Sequence, residues 1–128
     1  MVESGRFPKR EHICSTRLID QLFGNGSQRA AAYPLRAVFR KTDRLPAGVP
    51  VQVLISVPKK HFKHAVDRNR VKRQIREAYR RHKQPLCDAI PSEESLLIGF
   101  IWVSDELSPS DIVNERIKKL LTRIGEKI

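Results

Sequence analysis

Eight consecutive apolar residues, Leu96 to Val103, are the strongest constraint this chain places on its own fold. Glu93-Glu94-Ser95 precede them and Ser104-Asp105-Glu106 follow. A bilayer span needs about 20 such residues, so the run reads as a strand inside a globule. Its unbroken apolarity implies cover on both faces. A chain of 128 residues supplies that cover once, being large enough for one core and too small for two. We therefore take 1–128 as a single domain.

The neighbouring segments show regular periodicity. Residues Met1 to His12 are polar and basic, with Pro8, Arg6, Lys9 and Arg10, and read as a flexible arm until something holds it. Ser15 or Thr16 can cap a short helix carrying Leu18, Ile19, Leu22 and Phe23 on one face. Gly24-Asn25-Gly26 ends it. A dinucleotide loop can also begin with this pattern, but here it follows a helix and no third glycine arrives. From Tyr33 to Arg40 the chain alternates, with Tyr33, Leu35, Ala37 and Phe39 on one side and Arg36 and Arg40 on a wet one. A polar turn over Thr42 to Gly48 leads to a second strand, Val49 to Val57, interrupted near its start by Pro50.

A long helix is expected from Ala65 to Gln84, stopped by Pro85. Gln84 to Ser95 reads as a connecting loop. Ser108-Pro109-Ser110-Asp111 is a helix start with a capping serine and proline first in the helix. The last helix is expected to bury Ile112, Ile117, Leu120, Leu121 and Ile124, and to turn Arg116, Lys119 and Arg123 to water. There is no internal repeat and no low-complexity tract. Cys14 and Cys87 make no disulfide framework and no signal-peptide region precedes them, so a cytoplasmic location with buried or idle thiols is expected.

The formal net charge is +11, which calls for a polyanionic partner. Most of it lies in one place. Between Lys59 and Lys83 there are eleven Lys and Arg against Asp67 and Glu77, a local excess of nine. At about 100° per residue, Val71, Ile75, Ala78 and Tyr79 form a buried stripe. Asn69, Arg73, Arg76 and Arg80 fall opposite, with Lys72 and Lys83 beside them and Arg70 and Arg81 at the far edge. Guanidinium groups grip phosphate bidentately, and each neutralised phosphate releases counterion. A merely solvated face mixes signs to gain i,i+4 pairs, and this one hardly does. Membrane binding needs bulky apolar residues toward lipid, which are better used in a core. A DNA-reading helix-turn-helix expects a partner helix just before the basic one, whereas a strand precedes it here. A nucleic acid is the expected partner, and neither a helix-turn-helix reading of DNA nor a membrane is expected.

Ser56-Val57-Pro58-Lys59-Lys60, then Ala65-Val66-Asp67-Arg68-Asn69-Arg70-Val71-Lys72-Arg73-Gln74-Ile75-Arg76-Glu77, resembles the bacterial ribonuclease P protein component. The resemblance implies an α+β fold, αβββαβα, like a ribosomal protein S5 domain, with a left-handed βαβ crossover against the usual rule. It requires a third early strand between Ser27 and Arg40. It implies partnership with the ribonuclease P catalytic RNA, which performs the hydrolysis with Mg2+ held mainly by RNA. It also implies that a cleft between the first helix and the sheet holds the 5′ leader of precursor tRNA. Carried over by position, Arg68, Asn69, Arg70, Lys72, Arg73 and Arg76 contact the RNA subunit, with Arg80, Lys59 and Lys60 on the same surface. Phe23 is positioned to stack on leader nucleotides, core packing being the alternative. Ile19 stands where many members have another aromatic, and Ser104-Asp105-Glu106 where members often carry a basic residue.

No protein active site is expected. His61 and His64 are three apart but no Cys or carboxylate cluster joins them, so they read as solvated histidines in a basic loop. Asp105 and Glu106 suit a helix approach better than acid–base work. The competing function is a ribosomal or translation-factor-like RNA-binding module without a processing role.

Overall fold

The computed structural model describes residues 9–13, 15–46 and 48–128; Met1 to Pro8 of the expected arm, Cys14 and Ala47 lie outside it. A 3₁₀ turn, Lys9–Glu11, is followed by α1 (Thr16–Leu22), β1 (Gln28–Ala32), β2 (Leu35–Asp43) and β3 (Val51–Ser56). Then come α2 (Ala65–His82), α3 (Gln84–Ala89), β4 (Glu94–Trp102) and α4 (Ser110–Lys127). The sheet order is β1-β2-β4-β3, with β1–β2 and β2–β4 antiparallel and β3–β4 parallel. The apolar run is thus an inner strand. Parallel neighbours need a crossover, here supplied by α2 and α3.

Side chains of β4 alternate between two layers. Leu96, Ile98, Phe100 and Trp102 join the larger core with Leu35, Ala37, Phe39, the α2 stripe and α4. Leu97 faces the other way, into a smaller cluster with Ile13, Leu18, Leu22 and Val38. The Arg36/Arg40 side of β2 is therefore not simply wet: α1 covers part of it and buries Val38. Gly99 permits this approach, since a Cβ there would stand 3.1 Å from Leu22 Cδ2 and 3.5 Å from Phe23 Cζ. Ser15, rather than Thr16, caps α1 by accepting from Leu18 N at 3.4 Å.

The third early strand is β1, which forms a hairpin with β2 across Tyr33-Pro34. Tyr33 is consequently a turn residue, 68% exposed, and does not continue the Leu35–Phe39 row. Lys9 to His12 depart from the flexible-arm expectation. Ile13 N donates to Val53 O at 3.0 Å, and Gln52 Nε2 donates to Arg10 O at 2.8 Å.

Pro85 does not lead into a loop. It sits in the first turn of α3, where the N–H it lacks has no helical partner anyway. At α4, Pro109 holds the cap position without a side-chain bond. The Ser108 carbonyl and the Ser110 hydroxyl instead accept from Gln74 Nε2, at 2.9 and 3.1 Å. Val113 rather than Ile112 fills the buried stripe of α4.

Arg123 is exposed as expected and Arg116 is half-buried, and both also reach backbone carbonyls. Arg116 Nε donates to Tyr33 O at 3.0 Å, Arg123 Nη1 to Ala31 O, and Lys127 Nζ to Arg29 O at 3.2 Å. Alternate carbonyls along the outer edge of β1 and at the turn that follows it are thus met by one side of α4. Among the described residues no helix is long and apolar enough to cross a membrane.

Candidate nucleic-acid interface

Helix α2 divides its residues by angle, as an amphipathic helix does. Val71, Gln74, Ile75, Ala78 and Tyr79 are buried, with the Tyr79 and Phe100 rings 6.1 Å apart. Asn69, Arg70, Arg73 and Arg76 are exposed, and Arg68, Lys72 and Arg80 are half-buried. The first turn adds free backbone N–H groups and the positive end of the helix dipole, which favour an anion.

Four of the basic residues are engaged within the chain itself. Arg68 turns back and donates from Nη1 to Phe62 O at 2.7 Å and to Lys63 O at 3.3 Å. It thereby braces the loop that carries Lys59 and Lys60, both exposed. Arg80 donates to both Glu77 carboxylate oxygens, and Arg81 Nε adds a bond of 3.0 Å. The hydrogen bonds from Arg80 and then Arg81 hold the Glu77 carboxyl down to about 2. Lys83 is not part of the exposed row at all. It is buried, with Nζ 2.9 Å from Glu11 Oε1.

The same loop is tied to the end of β4. His61 Nδ1 and Asp105 Oδ1 are 2.7 Å apart, and the His61 side chain is 13% exposed. His61 is therefore a partnered, half-buried residue and not a solvated one, because the β4–α4 turn folds against it; His64, at the start of α2, remains exposed. Asp105 meets this imidazole, and Ser104 Oγ accepts from Glu106 N at 3.0 Å. Among the described residues no three His, Cys, Asp or Glu come together to hold a metal. Burial pushes the Cys87 thiol up to about 11, which keeps it protonated at neutral pH.

Phe23 lies on the other layer. It is the residue that closes α1, 44% exposed, and its ring rests over Gly99. Beside it opens a cleft of about 480 Å³, bordered by Arg29, Arg36, Val38 and Ile101. Arg29 and Arg36 are exposed cations that no motif pointed to; the only sequence signal was the alternation that put Arg36 on the face opposite Leu35. Arg40, on the same face, donates from Nη1 to Asn25 O at 2.7 Å and so anchors the α1–β1 loop. Ile19 is half-buried against the smaller cluster, leaving Phe23 as the aromatic that α1 presents to the cleft. The two surfaces complement different features of a nucleic acid: exposed guanidinium groups suit phosphates, and an exposed ring flanked by cations suits unpaired bases.

Residues 7–125 match the sequence model of the Ribonuclease P family. The ribonuclease P protein component of Porphyromonas gingivalis is 39% identical over 94% of this chain and 87% of its own length. That of Chlorobium phaeobacteroides is 38% identical over 91% and 86%. Among solved structures, the RNase P protein of Thermotoga maritima superposes with a TM-score of 0.67 at 24% identity, covering 88% of this chain and 96% of that one. A Staphylococcus aureus RNase P protein mutant gives 0.70 at 19% identity, over 91% and 89%. At those identities the two structures speak for the α+β fold.

Proposed function

This chain belongs to the ribonuclease P protein family, and we propose that it acts as the protein subunit of a tRNA 5′-maturation ribonucleoprotein. In this reading the exposed face of α2 binds the catalytic RNA. The cleft beside Phe23 receives the 5′ leader of precursor tRNA, and hydrolysis is carried by the RNA subunit. The observation that carries the reading is the family match joined to one unbalanced surface: Asn69, Arg70, Arg73 and Arg76 stand exposed on one helix. Lys59 and Lys60 continue it from a loop braced by Arg68 and by the His61–Asp105 contact.

The protein's part is positioning. Cations on α2 neutralise backbone phosphates of the catalytic RNA, a sequence-independent term that falls by about 0.7–0.9 log units of affinity per contact for each log unit of salt. The Phe23 ring and the Arg29 and Arg36 side chains offer an unpaired strand a stacking surface and two counter-charges.

Replacing Arg73 and Arg76 together with alanine tests the reading. Both are exposed, and alanine favours helix, so melting should be unchanged. Assembly with ribonuclease P RNA should weaken by about 3 kcal/mol or more, since hydrogen bonds to charged groups contribute about 1.5–3 kcal/mol each. Lys118 and Lys119, exposed on α4, provide a charge-matched double-alanine control. Equal weakening by both pairs would mean that only net charge matters.

A further inference from the structure

We propose that a groove between the N-terminal 3₁₀ turn, α1 and the β2–β3 loop is a second seat for RNA, taking the sugar-phosphate backbone of the 5′-distal part of a precursor leader. The inference rests on the reading above that the leader meets Phe23. The groove has a volume of about 470 Å³. Lys9, Arg10 and Arg17 border it, Leu45 and Pro46 face them, and Gln52 stands at its β3 side.

Charge separation is what makes this groove a phosphate seat. Lys9-Arg10-Glu11-His12 carries an acid among its bases. The fold removes that acid from the surface, because the Glu11 carboxylate is turned to Lys83 at 2.9 Å and is only 13% exposed. Lys9 and Arg17 stay exposed, and no carboxylate is among the described residues that border the groove. A concave surface lined by one sign of charge concentrates counter-ions of the other. Leu45 and Pro46 give it an apolar side against which unpaired bases can lie.

The position points to the leader. At 100° per residue, Arg17 and Phe23 leave the axis of α1 about 120° apart, so the helix is a ridge with the Phe23 cleft on one flank and the basic groove on the other. With seven residues, α1 is about 10 Å long, a short distance for a strand that continues past the cleft. The basic row of α2 belongs to the opposite layer of the sheet. RNA gripped there would have to wrap the sheet to arrive at Lys9. Phosphate contacts carry no sequence information, so the groove lengthens the bound leader without selecting its bases.

The test uses holoenzyme reconstituted with wild-type protein, with a Lys9→Ala/Arg17→Ala variant, and with Phe23→Ala. Affinity is measured for mature tRNA and for precursors with short and long leaders, over a range of salt. For the wild type, affinity should rise from the short to the long leader. In the double variant that rise should shrink about tenfold, and the salt slope for the long leader should fall by about 1.4, two single-strand contacts at ~0.7 each. Binding of the short leader, of mature tRNA and of ribonuclease P RNA should be unchanged, and Arg17→Lys should restore most of the rise. An undiminished rise in the double variant overturns the proposal. So does an equal loss on mature tRNA, or a loss in binding ribonuclease P RNA, which would place that RNA in the groove. If Phe23→Ala left leader affinity intact while the double variant lost the long-leader rise, the Phe23 reading would fail and the groove would stand.

Discussion

Glu77 shows how one residue can tune a binding surface. It sits within the basic row of α2 and occupies the guanidinium groups of both Arg80 and Arg81. Phosphate competing for Arg80 must first displace this carboxylate. Substituting Glu77→Gln removes an acid and releases two arginines. RNA affinity should rise, and the salt slope should steepen by about 0.7–0.9 per new phosphate contact. Titration of RNA into both proteins checks this, and an unchanged slope would mean that Arg80 and Arg81 face away from RNA. The stability effect has the opposite sign. A carboxyl held below its ordinary 4.5 contributes stability above that pH, and the contribution is lost as pH falls from 4.5 toward 2. The advantage of wild type over Glu77→Gln should therefore be small, because the group is solvated, and should vanish across that acid window in urea melts.

Among the elements, the contact of α4 with β1 has the clearest physical purpose. β1 is an edge strand, and its outward carbonyls are a template for another strand. Arg116, Arg123 and Lys127 lie seven and four residues apart and so share a helix side, which meets the carbonyls of Tyr33, Ala31 and Arg29 in turn. The helix period and the strand period coincide here because the alternate carbonyls of a strand are about 7 Å apart and the basic residues are about 6–10 Å apart along the helix. An Arg116→Ala/Arg123→Ala variant should keep its core and uncover this edge. Concentration-dependent association is expected in sedimentation, and a variant that stays monomeric would show that twist and Lys127 alone protect the strand.

Across the whole molecule, the Glu11–Lys83 pair joins residues 72 positions apart and fixes the N-terminal turn to the end of α2. Both layers depend on it: it withdraws an acid from the α1 side and a base from the exposed row of α2. Breaking a buried pair from one side leaves the other charge desolvated. Lys83→Ala should therefore destabilise the chain by about 3 kcal/mol, near the low end for such pairs because Glu11 keeps some solvent. A Glu11→Leu/Lys83→Met double variant should recover much of that loss. Denaturant unfolding measures both, and a double variant no better than Lys83→Ala would mean that packing, not charge, dominates the junction.

Much of this was legible in one dimension. The Leu96–Val103 run required an inner strand, the Val71–Ile75–Tyr79 stripe required a helix laid on a core, and Arg73 and Arg76 had to stand opposite it. Backbone geometry sets those periods locally, so composition and spacing reveal them. The Gln28–Ala32 strand was not legible, because three small alanines carry little alternation and its hairpin turn lies inside what reads as a single strand. Partnership was not legible either. Lys83 and Arg80 look alike on a helical wheel, yet one is buried against Glu11 and the other is half-exposed beside Glu77. His61 finds Asp105 across 44 residues, and Arg116 finds Tyr33 across 83. The sequence by itself determined the strand at Leu96–Trp102, the helices α2 and α4, and the apolar stripe on each of those helices. Only the tertiary structure decided which charges are left for a partner, because a side chain's availability depends on what distant segment is folded against it.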